Sequence, residues 1–410
     1  MKAFDARRRR LWCHGPKPEY EMDEDWADQW YVSARTIALV RPRRDLIILP
    51  GGNEQTKEFF AFCAKTLQFD PAQVIWTSGQ SYLLDKDIAQ EVLFQIRGTL
   101  HGGNWEIIPY SVTHPFSEWT SSLQFPIFGD DEGWVARYSD KSILHPHARR
   151  ALRHTPPLGA LIPSLRIPRG YACETREDLL EARRFLEQDG ISEFIIKPAR
   201  GTTGEGIKFV GLEESFETYR FPMGSVVLEE RLPIDTDAAG RPISPSIHYF
   251  GEALAENVTD QLFGDGVAHE GNLVPSGTSA AFQQELRDMA QCVLSHLKPK
   301  GPGGFDFLSV GGKPVLIDPN VGRFTGAHPA LIFRNLYAPG ASFQCWKVKP
   351  KGTVWGFWET LRRKGLSFNT HSQKGVFPLC YLPEMWGMLA AFGETREAVM
   401  HLRDETMGCF

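Results

Sequence analysis

A strand turns alternate side chains to opposite faces, so a hairpin whose acids must share one site fixes its own register. Gly304-Phe-Asp306-Phe-Leu-Ser-Val, the link Gly311-Gly312-Lys313 and Val315-Leu-Ile-Asp318-Pro-Asn320 form such a hairpin. Asp318 and Asn320, two apart, point the same way. A three-residue loop through Gly311, Gly312 and Lys313 sets Asp306 opposite Asp318, whereas a two-residue loop at Gly311-Gly312 turns Asp306 to the other face. The reading therefore expects an odd-length loop or a bulge. On one face, Asp306, Asp318 and Asn320 offer oxygen ligands to a hard divalent cation shared with phosphates. The alternative is an amphipathic surface hairpin with solvated acids.

Upstream runs Phe194-Ile-Ile-Lys197-Pro-Ala-Arg-Gly201-Thr202-Thr203-Gly204-Glu-Gly206-Ile. A lysine ending an apolar strand, followed by a glycine-rich turn, can aim one fixed charge and several backbone N–H groups at phosphate oxygens. The loop is neither a Walker A sequence nor a Rossmann fingerprint. Placed between two strands, it has the makings of a lid.

The chain has 410 residues, 42% hydrophobic and 23% charged, enough for two or three domains with their own cores. Its net charge of −5 argues against nucleic acid as a partner, because phosphate-backbone binding needs a basic face. The run Arg7 to Arg10 is the exception and reads as a mobile terminal tail. Seven cysteines without a CxxC pair read as reduced thiols of a cytoplasmic protein, and no Cys/His cluster has zinc-ligand spacing. His145-Pro-His147 reads as loop chemistry. No apolar run reaches the length of a membrane span, so neither a signal peptide nor a membrane partner is expected.

A pass along the chain finds three stretches, the first with its pattern from Thr36, the second from about Tyr138 to Tyr219 and the third opening at Ser225. In the first stretch Asp45-Leu-Ile-Ile-Leu-Pro50 is a buried strand, Glu54 to Leu67 a helix and Gln73-Val-Ile-Trp-Thr a strand, the spacing of a parallel α/β unit. Its Pro50-Gly51-Gly52-Asn53 turn is a ligand loop or a plain tight turn. The second stretch has a basic helix through Arg153, a helix from Asp178 to Gln188, the strand Glu193 to Lys197 and its mate Gly206 to Gly211. The third has the strand Ser225 to Leu232, the acidic hairpin, the strand from Val376 and a helix from Glu394 to Arg403.

This order of parts resembles the ATP-grasp superfamily of carboxylate–amine ligases over about Asp140 to Leu331. The matching elements are Lys141, Lys197-Pro with its glycine loop, the apolar strand ending in acids at Glu229 and Glu230, Asp306, and Asp318-x-Asn320-x-x-Arg323-x-x-Gly326. The N-terminal stretch and Lys374-Gly-Val-Phe-Pro are similar, more particularly, to pheganomycin-type peptide ligases with a pre-ATP-grasp domain. The resemblance implies a mixed α/β and α+β chain: a pre-ATP-grasp parallel α/β domain over 1–138, then a two-subdomain ATP-grasp fold. The lid-bearing subdomain would be 139–224, and 225–410 would hold the metal site and a C-terminal extension.

The resemblance also implies roles. Lys141 and Lys197 reach the α- and β-phosphates of ATP, and Gly201, Thr202, Thr203, Gly204 and Gly206 cover the β- and γ-phosphates. Glu229, Glu230 and Leu232 form the hinge at the adenine edge, and Asp235 or Asp237 holds the ribose. Asp306, Asp318 and Asn320 bind Mg²⁺. ATP phosphorylates a substrate carboxylate and an amine attacks the acyl phosphate, with Lys197 and Arg323 as catalytic residues; Arg323 steadies the oxyanion or sits in a structural ion pair. The partners implied are a small-molecule carboxylate and amine, an amino acid or peptide, and dimers are common in similar ligases. Gln261, His269 to Pro275 and His328-Pro329 line the acceptor pocket or are ordinary loops. Asp318 stands where most of these ligases have glutamate, as in inositol-phosphate kinases of the same fold. A small-molecule kinase is thus one alternative, and a nucleotide-binding regulatory protein without catalysis is another.

Overall fold

The computed structural model describes residues 7–14, 33–51, 53–77, 86–99, 104–121, 123, 125–153, 167–201, 206–211, 213, 216, 219–221, 224–264 and 268–409. The chain divides into two compact units, one of 1–132, 270–275 and 323–410, the other of 133–269 and 276–322. The stretches 1–138, 139–224 and 225–410 cut across this division, because the chain after Gly322 is grouped with the N-terminal sheet.

The first unit holds the parallel strands β1 (Arg9–Cys13), β2 (Leu46–Pro50), β3 (Val74–Thr77) and β4 (Trp105–Pro109), in the order β3-β2-β1-β4. Helix α1 (Glu54–Leu67) links β2 to β3, and the Asn53 side chain caps it by accepting from the N–H groups of Gln55 and Thr56. Gly51 is required by packing: a Cβ there would stand 2.0 Å from the Thr77 carbonyl oxygen. Helices α2 (Lys86–Thr99) and α3 (His114–Thr120) follow.

The arginine run corrects an expectation. Instead of a mobile tail, it leads into β1, a strand paired on both sides, where Leu11 and Trp12 are fully buried. Distant acids account for this. Arg8 pairs with Glu106 at 3.1 Å, the Arg10 N–H donates to Asp45 at 3.1 Å, and the Arg9 guanidinium lies 5.4 Å from the Trp105 ring centre.

The second unit begins with α4 (Glu132–Tyr138) and α5 (Lys141–Arg153). Its first sheet has the order β5-β8-β6-β7 and is antiparallel: β5 (Gly170–Cys173), β6 (Glu193–Pro198), β7 (Lys208–Gly211) and β8 (Val226–Glu230). Helix α6 (Arg176–Gln188), started by a Thr175/Asp178 capping box, buries Leu179, Ala182 and Leu186 against Phe194, Ile196, Val226 and Leu228. The strand residues among them, Phe194, Ile196, Val226 and Leu228, are even-numbered, so alternation leaves Lys197 and Glu229 together on the opposite face.

The second sheet of this unit has the order β13-β12-β9-β10: β9 (Pro245–Phe250), β10 (Ala253–Phe263), β12 (Pro302–Val310) and β13 (Lys313–Asn320). Between β10 and β12 the chain forms β11 (His269–Val274) and then α7 (Ala280–Leu297). Leu144, Ala148 and Leu152 of α5 and Leu286, Met289 and Val293 of α7 share a core with Ile247, Tyr249, Phe305 and Phe307. Burying a phenylalanine of this kind contributes roughly 2–3 kcal/mol. His145 and His147 therefore lie on a helix rather than in the expected loop. The apolar spacing of Leu144, Ala148 and Leu152, with Asp140 accepting from the Ser142 N–H at 2.9 Å, carries the helix through Pro146.

The first unit is completed by β11 with α8 (His328–Tyr337), β14 (Ser342–Val348), α9 (Val354–Arg363), β15 (Gly375–Tyr381), β16 (Gly387–Gly393) and α10 (Arg396–Met407). These strands are ordered β11-β14-β16-β15. Among the described residues no helix is long and apolar enough to cross a membrane.

Candidate functional site

The hairpin meets the register requirement by its second route. Gly311 and Gly312 have φ of 58° and 73°, the left-handed pair that a two-residue turn demands. Phe307 consequently pairs with Leu316, the wrong phase for the acids. The register then shifts between Asp306 and Phe307, with Ile317 as the extra residue, and Asp306 stands opposite Asp318 and Gly304 opposite Asn320. The Asn320 Nδ2 donates to Asp306 Oδ2 at 2.8 Å.

Asp235 holds this turn. It accepts from the Ser309 hydroxyl at 2.6 Å and from the N–H groups of Gly312 and Gly311 at 2.8 and 3.1 Å. These donors, Ser309 foremost, keep its carboxyl below the ordinary value. Both oxygens thus accept hydrogen bonds from the hairpin turn. Asp237 is likewise engaged, by Arg241 at 2.7 Å.

The two lysines approach the same hairpin from different elements. Lys141 opens α5, where its N–H donates to the Ala199 carbonyl at 2.8 Å; its Nζ donates to the Gly201 carbonyl at 3.2 Å and lies 3.5 Å from Asp318 Oδ1. Lys197 Nζ donates to the carbonyl of the bulge residue Ile317 at 3.4 Å and lies 2.6 Å from Glu229 Oε2.

Glu229 is almost fully buried, and its Oε1 lies 2.8 Å from His145 Nδ1. Gly170 faces it across the sheet and must be glycine, since a Cβ would stand 2.6 Å from Glu229 Cγ. Burial pushes the Glu229 carboxyl up, but Lys197 and His145 together outweigh that and hold it at about 2. Glu230 accepts from the Arg169 N–H at 2.7 Å and from its guanidinium at 2.9 Å. Both acids are therefore engaged by side chains of the second unit.

Lys141, Lys197, Gly201, Glu229, Asp306, Asp318 and Asn320 are all in the second unit and linked by these contacts. Thr202, Thr203 and Gly204 lie outside the described residues. Gly206 has φ of 72°, and a Cβ there would crowd Pro198 at 2.7 Å. Arg323 belongs to the first unit, where it bridges to Ser111. His269 to Val274, read as pocket lining or an ordinary loop, is strand β11 paired with β14, with Asn272 buried. His328 begins α8 and is fully buried, and the Gln261 side chain accepts from the Ser244 hydroxyl at 2.8 Å.

Sequence reasoning missed His145, Arg169 and a buried polar row. Ser246 stands opposite Asp306, and Thr259 opposite Ser246; these hydroxyls lie 2.7 Å apart, each 3.2 Å from His248 Nε2. Burial, reinforced by His269, pulls His248 down to about 3. The alternation of Ser246-Ile-His248-Tyr was the available signal.

Whether the hairpin suits a hard divalent cation can be tested on its own atoms. Two carboxylates and an amide share one face, and the buried Asp318 Oδ1 has the Lys141 ammonium 3.5 Å away. No cluster of three His, Cys, Asp or Glu side chains exists among the described residues, so a closed protein cage of the zinc type is absent there. The donor set fits a Mg²⁺ ion that keeps positions for water and phosphate oxygens.

No family model matches the chain, and no curated protein matches it at a significant level. Solved structures do match over nearly the whole length. An ADP complex of purK, N5-carboxyaminoimidazole ribonucleotide synthetase, superposes with a TM-score of 0.64 at 10% identity, covering 99% of this chain and 98% of that one. The biotin carboxylase of Campylobacter jejuni, in a beta-gamma-ATP complex, gives 0.61 at 13% identity over 98% and 91%. The biotin carboxylase domain dimer of Hydrogenobacter thermophilus 2-oxoglutarate carboxylase, with MgADP, ADP and bicarbonate, gives 0.62 at 12% identity over 98% and 89%. At such identities the likeness is one of fold, and the chain has the ATP-grasp fold preceded by a pre-ATP-grasp α/β domain.

Proposed function

We propose that this protein is an ATP- and Mg²⁺-dependent ligase that joins a carboxylate to an amine through an acyl phosphate, releasing ADP and phosphate. The observation that carries the reading is the bulge at Ile317, which puts Asp306, Asp318 and Asn320 on one face and within reach of Lys141 and Lys197. Fold neighbours that are carboxylases and synthetases holding adenine nucleotides support it. Asp306, Asp318 and Asn320 would hold Mg²⁺, which when bound offsets charge on the phosphates. Lys141 and Lys197 orient the nucleotide phosphates, the glycine loop from Gly201 to Gly206 closes over them, and the Leu232 N–H receives the adenine edge. Closure excludes water from the acyl phosphate. The substrates are an amino acid or small peptide, the class that the sequence resemblance implies.

The test incubates the protein with ATP, Mg²⁺ and mixtures of amino acids and short peptides, following ADP, phosphate and product mass. ADP with free phosphate and a product lighter by one water than its parts is expected. A phosphorylated product without free phosphate means a kinase, and tight ATP binding without turnover means a regulatory protein.

A further inference from the structure

We infer that His145 is a positioning residue for nucleotide binding, acting through Glu229 on Lys197; this deepens the ligase reading and rests on it. His145 and Lys141 lie four residues apart on α5 and so on the same side of it. Lys141 reaches Asp318 at the hairpin, while His145 Nδ1 lies 2.8 Å from Glu229 Oε1 on β8. Glu229 Oε2 in turn lies 2.6 Å from Lys197 Nζ, which reaches the Ile317 carbonyl. One helix turn thus ties the acids of both sheets, and the second lysine is placed by a buried carboxylate that is itself placed by an imidazole.

Each member needs the others. Lys197 is nine-tenths buried, Glu229 and His145 more so, and a buried charge without its partner is costly. With two buried bases on its two oxygens, Glu229 cannot swing away with either alone. The chain of contacts fixes the ammonium beside the bulge before any nucleotide arrives, which removes the cost of ordering a long side chain on binding. Gly170, which leaves room for the Glu229 stem, is part of the same device.

The experiment is a binding cycle with MgATP, MgADP and adenosine as probes, on wild type, His145→Leu, His145→Asn, Lys197→Met and the Lys197→Met/His145→Leu double variant. His145→Leu should weaken MgATP and MgADP about tenfold, within the range of coupled contacts, and leave adenosine unchanged. His145→Asn, whose amide takes the place of Nδ1, should restore most of the affinity. In the Lys197→Met background, His145→Leu should cause no further loss. Should His145→Leu fold poorly by thermal melt, Glu229→Gln supplies the same comparison and should weaken MgATP in the same way. Additive losses in the cycle, or an equal loss for adenosine, would overturn the positioning role while leaving the ligase reading standing. No MgATP binding by the wild type would overturn both.

Discussion

The second unit carries two acidic regions that treat their charge in opposite ways. On β8, Glu229 and Glu230 are matched inside the fold, the first by Lys197 and His145, the second by Arg169. On the β12–β13 hairpin, Asp306 and Asp318 face each other across the ladder, a pairing of like charges that destabilises a sheet. Lys141 stands 3.5 Å from Asp318, and a divalent ion would relieve the remainder. An acid balanced by its own chain holds structure together, while two acids paired across a ladder would be eased by a bound cation.

Four substitutions or conditions probe that contrast. Asp306→Asn should abolish turnover and Mg²⁺-dependent nucleotide binding while leaving the urea midpoint unchanged or slightly raised, since it removes one of two opposed charges; wild-type rates in this variant would sink the metal assignment. Glu229→Leu should cost about 3–5 kcal/mol in urea unfolding, because it strands two buried bases. Acid should act through the same residue. Its folded carboxyl is held at about 2 against an ordinary 4.5, so its stabilisation is complete above 4.5 and is given up as pH falls toward 2. Unfolding curves across that window should show the loss, and Glu229→Gln should flatten it. The smallest effect belongs to Asp235→Ala, which removes three hydrogen bonds from the hairpin turn for about 1–2 kcal/mol, seen as a modest drop in melting temperature.

Local patterns in the sequence carried much of this fold. The helix from Glu54 to Leu67, the strands around Lys197 and Glu229, and the parity argument for Asp306 and Asp318 all rest on periodicities within a few residues. What the sequence hid were pairings across long separations. Nothing near the arginine run shows that Asp45 and Glu106 will draw it into a sheet, and nothing near His145-Pro-His147 shows that a glutamate 84 residues on will meet the first histidine. Asp235 was legible as a polar residue after a strand, but its partners Ser309, Gly311 and Gly312 arrive from another hairpin. Side chains with distant partners are where a reading built on neighbours stops.

The extra residue at Ile317 also acts as a vernier between two demands on one strand. The tight glycine turn needs an even count, and the ligand end needs an odd one; the bulge absorbs the difference, so each end answers to its own chemistry. Adding one residue between Gly311 and Gly312 would bring the whole ladder into phase without a bulge. It would also return the Ile317 carbonyl to the ladder and take from Lys197 the acceptor it now reaches. The irregularity that aligns the acids is thus the same one that gives the second lysine an address on the hairpin.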